Sequence, residues 1–221
     1  MSYYVQNGIY KLGFELSKLE RQILRDMEDH LIYNNFNYLS VPSTITIDTF
    51  IKQQIKSQTF KYEHNSVLGG SAEQGILEYF SNKHVKPQKI YSKNSCFRVE
   101  DEYIDLLRVK EFYKIEQFIF CEEKDAEDMF EHALLNGIWL LEQYNLKYRE
   151  VDVTKLDPGY HKKKIDLEVY TKKYGWIETH SCTYFGEEQT KRYNITGATH
   201  TISNTGVATP RILIPLIERM V

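Results

Sequence analysis

Leu19, Ile23, Leu24, Met27 and Leu31 recur at helical spacing, and Ser17 with Glu20 three residues on reads as a capping box. Together they predict an opening amphipathic helix to about Tyr33. Tyr38 to Val41 is a short strand candidate ended by Pro42, and Asp48 is placed to cap a helix through about Lys56. The polar run Ser57 to Asn65 reads as a loop. Gly69-Gly70-Ser71 then leads into Ala72 to Asn82, where Ile76, Leu77 and Phe80 fit helical spacing. Beyond Pro87 the pattern turns to strand: Lys89 to Tyr91 and Ser95 to Glu100, then Leu106 to Cys121, an antiparallel hairpin. A helix from about Lys124 to Tyr144 buries Ala126, Met129, Phe130, Ala133, Leu134, Ile138 and Leu141. Tyr148 to Val153 is a strand, Asp157-Pro158-Gly159 a turn, and Lys164 to Tyr170 pairs with Trp176 to Cys182 across Tyr174-Gly175. A short helix spans Glu187 to Tyr193 and His200 to Ser203 is the last strand. A closing helix starts near Thr209, with Pro210 in its first turn and a kink at Pro215.

Strands flanked by helices without regular βαβ alternation predict an α+β fold with a mainly antiparallel sheet. With 221 residues, no internal repeat and no linker, one domain over 1–221 is the simplest account. Hydrophobic residues at 42% and charged residues at 27% exclude a disordered chain. A net charge of -3 gives no overall field to attract a phosphate backbone. No apolar run approaches a membrane span, and Met1 to Gly13 lacks the form of a secretory signal, so a cytoplasmic protein is expected. Cys96, Cys121 and Cys182 are widely spaced and without a CxxC pair, which fits reduced thiols.

Candidate chemistry concentrates in Arg108 to Phe120. Period-two alternation puts Arg108, Lys110, Phe112, Lys114, Glu116, Phe118 and Phe120 on one face and Val109, Tyr113, Ile115 and Ile119 on the other. The charged face fits a solvated sheet surface. It also fits a platform on which a planar ligand stacks against Phe112 while lysines on either side hold anionic groups. The partner strand aligns Cys96, Arg98 and Glu100, so the hairpin brings Arg98 toward Phe112 and Glu116, and an arginine fork suits bidentate phosphate recognition. His180 and His200 are expected to be structural, and His161 to Lys164 a solvated run.

The order of motifs resembles the catalytic core of class II aminoacyl-tRNA synthetases, seryl-tRNA synthetases in particular. Cys96 to Glu100 and Phe112 to Glu116 resemble motif two, and Ser71-Ala72-Glu73 the family's Thr-Ala-Glu loop. Glu178-Thr179-His180-Ser181-Cys182 resembles its Glu-Val-Ser-Ser-Cys strand, Gln189 to Arg192 its Gln-Ala-Arg-Arg, and His200 to Arg211 motif three. The first helix and Leu39 to Pro42 resemble motif one, the family's dimer interface, which implies a homodimer.

The resemblance implies a sheet carrying ATP and an amino acid. Arg98 would neutralise the α-phosphate and Glu100 accept from the adenine amino group. Phe112 would stack on the purine, Arg211 would cover its other face and the terminal phosphates, and Arg108 would add a phosphate contact. This makes Arg98 and Arg211 the catalytic candidates. Glu178 and Ser181 fall where the family holds magnesium. Glu116 would pair with the substrate ammonium, while Ser71, Glu73, Lys114 and Thr205 surround a small side chain. The implied activity is formation of an aminoacyl adenylate from serine or another small amino acid.

Departures from the family shape the expected acceptor. The family's helical tRNA-gripping arm has no counterpart here, and Asp101 to Leu107 is a short, acidic motif-two loop. Lys110-Glu111 replaces His-Gln, Tyr184 replaces Asn, and Ser203-Asn204 replaces Asn-Gly. The sequence is also similar to armless amino acid:carrier-protein ligases, so the expected acceptor is a carrier-protein phosphopantetheine thiol, with tRNA disfavoured. Ser71 and Thr205 stand where those ligases place zinc-binding cysteines, so no zinc is expected. The alternatives are a minimal seryl-tRNA synthetase needing a separate tRNA-binding partner and a silent nucleotide-binding paralogue. The retained charged constellation argues against the latter.

Overall fold

The computed structural model describes residues 2–53, 59–157 and 159–220. It opens with a hairpin, β1 (Tyr3–Gln6) and β2 (Ile9–Leu12), turned by Asn7 and Gly8 at φ of 52° and 75°. That pair supplies the left-handed conformations a tight hairpin turn requires. The first helix, α1 (Phe14–Tyr33), begins earlier than the Ser17 capping box implies. Its N-cap is Gly13, whose N–H donates to Ser2 O at 2.8 Å, and the extra turn buries Leu16. Ser17 Oγ instead donates to Leu12 O at 3.3 Å. After β3 (Asn37–Tyr38) come β4 (Thr44–Thr46) and α2 (Ile47–Lys52), capped by the Thr46 hydroxyl accepting from Thr49 N rather than by Asp48. The rest of the helix expected to Lys56 lies outside the described residues beyond Gln53. β5 (Ser66–Leu68) pairs with β4, directly after the stretch expected to be a loop.

Ser71 caps α3 (Ala72–Phe80), and β6 (His84–Val85) leads to β7 (Gln88–Phe97), one continuous strand where two were expected. β8 (Glu111–Cys121) pairs antiparallel with it from Gln88 opposite Phe120 to Phe97 opposite Glu111. Arg98 and Arg108 therefore sit in the connection between the strands, which folds back through Arg98 N to Lys110 O at 3.0 Å and Ile104 N to Arg108 O at 3.1 Å. A 3-10 turn precedes α4 (Ala126–Gln143), followed by β9 (Tyr148–Asp152), β10 (Lys163–Thr171) and β11 (Gly175–Gly186). The turn expected at 157–159 includes residue 158, outside the described residues. The chain continues through α5 (Glu188–Arg192), β12 (Thr196–Gly197), β13 (His200–Thr209) and α6 (Leu213–Arg219). β13 runs well past Ser203, so the last helix starts later than expected. Pro215 then falls in its first turn, where a missing N–H costs no helical hydrogen bond and no mid-helix kink arises.

Seven strands form the main sheet in the order β3-β7-β8-β13-β11-β10-β9, antiparallel except for β3 against β7. The fold is α+β, as expected. Alternation sorts each strand. Ile115, Ile119 and Cys121 of β8, Leu167 and Val169 of β10, and Ile202 and Val207 of β13 face α1 and α4 and build the larger core with Met27, Phe130 and Leu141. On the opposite face Phe118 and Phe120 pack with Ile76 and Leu77 of α3 and with Tyr193. The remainder of that face is left for a cavity. No helix among the described residues is long and apolar enough to cross a membrane.

Candidate functional site

The cavity, about 800 Å³, lies on the sheet face opposite α4. Ser71, Glu73, Arg98, Glu100, Arg108, Phe112, Lys114, Glu116, Glu178, Ser181, Thr205 and Arg211 all line it. Two irregularities in the sheet make this possible. In β11, Leu167 pairs with His180 and Glu168 with Glu178, so Thr179 is an extra residue. The bulge reverses the alternation and puts Glu178 on the same face as Ser181, which strict period two would forbid. In β13, Thr205 pairs with Glu116 and Val207 with Ile115, leaving Gly206 extra, and Thr205 and Ala208 both reach the cavity. His180 ties the two bulges together. It is buried at 1% exposure, and its Nε2 meets Gly206 O at 2.9 Å while Nδ1 meets Thr179 Oγ1 at 3.0 Å. Burial pushes its pKa down to about 4, so the ring is neutral and Nε2–H donates to the carbonyl.

One end of the cavity gathers three arginines with the carboxylates of Glu100 and Glu178 among them. The Arg98 guanidinium lies 5.4 Å from the Phe112 ring centroid, and Arg211 is fixed by Nε to Leu107 O at 3.1 Å and Nη1 to Glu178 O at 2.9 Å. Among the described residues neither Arg98 nor Arg108 forms an ion pair with a carboxylate, and both side chains are exposed to the cavity mouth. Three arginines with an aromatic face between strands suit an anion carrying a planar group.

The other end is anionic and crowded with hydroxyls. Buried Glu116 takes an ion pair from Lys114, accepts from Ser71 Oγ, and accepts from Ser203 Oγ at 2.9 Å. The Ser71 hydroxyl also accepts from Glu73 N at 3.2 Å, so the residue that starts α3 belongs to the site. Glu73 accepts from Gln53 Nε2 at 3.1 Å and Gln189 Nε2 at 2.8 Å. Burial, and then the neighbouring Glu116 charge, push its pKa up to about 7. Among the described residues Lys114 pairs with Glu116 alone, so a further cation bound at this end would favour the ionised form of Glu73.

Some placements differ from expectation. Lys110 precedes β8, escapes its alternation, and lines a second cavity on the other side, with Nζ 5.0 Å from the Tyr103 ring. Phe112 is therefore flanked within the site by Lys114 and Arg98, not by two lysines. His180 and His200 are buried and off the cavity, and the three cysteines are buried free thiols. Of the expected solvated run, His161 and Lys164 line the cavity and Lys164 pairs with Asp157. Asp166, which belongs to no motif, pairs with Ser181 across the strands and is not among the residues that line the cavity. Asp166 Oδ1 and Ser181 Oγ are buried without a hydrogen-bond partner, and burial followed by the Glu178 charge raises the Asp166 pKa to about 6. Its only sequence signal was its even-numbered place in an alternating strand. Oxygen donors of this kind suit magnesium, which takes one or two carboxylates and completes its shell with phosphate and water. Among the described residues no three His, Cys, Asp or Glu side chains gather as a metal group.

Residues 56–221 match the family model "tRNA synthetase class II core domain (G, H, P, S and T)". The chain is similar to the serine–tRNA ligase of Deinococcus radiodurans, 29% identical over 95% of this chain and 55% of that one. It is also similar to that of Mycoplasma mobile, 31% identical over 75% and 44%. It spans about half the length of these curated relatives. Among solved structures, a seryl-tRNA synthetase from Pyrococcus horikoshii complexed with ATP superposes with a TM-score of 0.89 at 22% identity, covering 96% of this chain and 53% of that one. A prolyl-tRNA synthetase from Giardia lamblia in complex with prolyl-adenylate gives 0.85 at 15%, covering 96% and 48%. These likenesses carry the fold. With three quarters of its length inside the family model and its motifs gathered around one cavity, the chain belongs to the class II tRNA synthetase core family.

Proposed function

We propose that the cavity activates a small amino acid with ATP, forming an aminoacyl adenylate and pyrophosphate, and that residues 1–221 act as one catalytic domain. The observation carrying this reading is the arrangement of charge along a single cavity: three arginines with Glu100 and Glu178 around the Phe112 ring at one end, and Glu73, Glu116 and Lys114 at the other. An amino acid bound by its ammonium at Glu116 would direct its carboxylate toward the arginines. A carboxylate oxygen would then attack the α-phosphorus in line while pyrophosphate departs, a reaction governed by positioning and charge neutralisation. Arg98 would neutralise charge at the α-phosphate, Phe112 and Arg211 would sandwich the purine, Glu100 would accept from its amino group, and Arg108 would hold terminal phosphate. Lys114 would keep Glu116 oriented, and Ser71, Glu73 and Thr205 would bound the side chain. Magnesium arriving with ATP would be held by Glu178 and Ser181 and would supply charge neutralisation on the phosphates.

The serine–tRNA ligase relatives support tRNA as the acceptor over the carrier-protein thiol expected from sequence. Exchange of labelled pyrophosphate into ATP, run with each of the twenty amino acids, tests activation; stimulation by none overturns it. Incubation with cell extract, ATP and the labelled amino acid, followed by separate ribonuclease and protease treatment, tests the acceptor. Ribonuclease-sensitive label supports tRNA, and label lost only to protease overturns that acceptor.

A further inference from the structure

The anionic end of the cavity is bounded by one residue from outside every motif noted above. Tyr160, in the connection between β9 and β10, lines the cavity, and its ring is gripped from two directions. The Arg192 guanidinium of α5 sits 3.8 Å from the ring centroid, and Phe185 of β11 lies 5.7 Å away at 43°. Arg192 is itself anchored, with Nη1 donating to Lys52 O at 3.0 Å. The phenol lies near enough to Gln189 and Glu73 for both to perturb it. Gln189 is fully buried and locked in orientation, since it donates to Glu73 and accepts from Thr201 Oγ1 at 2.7 Å. The sheet hydroxyls of Thr183, Ser203 and Thr205 line the same cavity. A side chain projecting from an amino acid held at Glu116 thus meets polar groups of the sheet and a fixed aromatic ring.

We infer that Tyr160 is a specificity-determining residue that limits the activated amino acid to a small side chain. The inference rests on the adenylate-forming reading above. Because Arg192 and Phe185 fix the ring, it excludes by volume, and a polar pocket offers a larger apolar chain no compensating contact. A methylene more or less in a shaped pocket shifts discrimination by roughly 10–200-fold, so removing a whole ring should relax it by at least about 10-fold.

The experiment is pyrophosphate exchange by wild type, Tyr160→Phe, Tyr160→Leu and Tyr160→Ala with glycine, alanine, serine, threonine, valine and leucine, read as ratios of kcat/KM. The expected result is a wild type confined to the smaller members, the same rank order in Tyr160→Phe, and progressive admission of valine and leucine in Tyr160→Leu and Tyr160→Ala. A Tyr160→Leu variant with unchanged ratios overturns the inference while leaving the activation reading intact. A wild type that activates leucine as well as serine overturns both the inference and the restriction to a small amino acid, leaving adenylate formation itself standing. If Tyr160→Ala fails to fold, the leucine and phenylalanine variants still decide. Absence of wild-type exchange with all twenty amino acids overturns both readings together.

Discussion

Arg98 reaches the cavity from a connection between strands and is exposed, so its removal disturbs no core packing. Arg98→Ala should therefore keep the wild-type melting temperature while pyrophosphate exchange falls by about 10²–10³, the scale of losing one donor to developing charge. Retention of wild-type exchange would remove Arg98 from the chemistry. Glu116 is the opposite case, because it is 1% exposed and carries an ion pair with Lys114. Glu116→Gln should raise the amino-acid KM and also lower stability by about 3 kcal/mol, since a buried partner is left without its counter-charge. Urea unfolding alongside kinetics separates the two effects. Glu73 gives a pH signature. Its carboxyl is raised from 4.5 to about 7 in the folded chain, so the stability it contributes is fully present below 4.5 and is lost as pH rises through 7. An ammonium bound beside it favours the ionised form, so amino-acid affinity should weaken as pH falls from 8 to 6. Glu73→Gln should flatten both profiles, measured by urea midpoints and by KM across that range.

At the level of elements, the bulges in β11 and β13 do the aiming, and His180 links them through the Gly206 carbonyl. His180→Ala should leave that carbonyl buried and without a donor, costing roughly 1–3 kcal/mol. Because Thr205 adjoins Gly206 and Glu178 adjoins the Thr179 bulge, the amino-acid KM and the ATP KM should both rise; no change in either would mean the bulges do not set the site. Strong periodicity made α1, α4 and the pairs β7–β8 and β10–β11 legible in sequence, since each has one apolar face against the same core. The hairpin at Asn7-Gly8 carried the usual signal and was passed over, while β4 and β5, at three residues each, are too short to show alternation. The extension of β13 was hidden by Ser203, Asn204 and Thr205, polar residues that are buried because Glu116 and the Ala133 carbonyl offer two of them partners. The motif residues of the site were legible by resemblance. Asp166 and Tyr160 were not, since one depends on cross-strand register and the other on packing between distant segments.

Across the molecule, α1 leaves Phe14 89% and Tyr33 85% exposed, with Ile32 and Tyr38 exposed beside its far end. Apolar surface of this kind is covered at low cost by a second copy in a two-fold pair. Sedimentation at micromolar concentration should give twice 26.2 kDa, and a monomer alone would contradict the pairing. Sheet order has a consequence for how the protein is made. β13 is the last strand in sequence yet lies between β8 and β11, joining β3-β7-β8 to β11-β10-β9. A nascent chain on the ribosome therefore holds two separate ribbons, each with an unpaired edge, until residue 209 has emerged. Such edges invite pairing with other chains, and closure waits on contacts far apart in sequence, which slows folding. Synthesis and assembly of the cavity-bearing face are thus separated in time, and the two open strand edges are exposed to pairing with other chains in the interval between them.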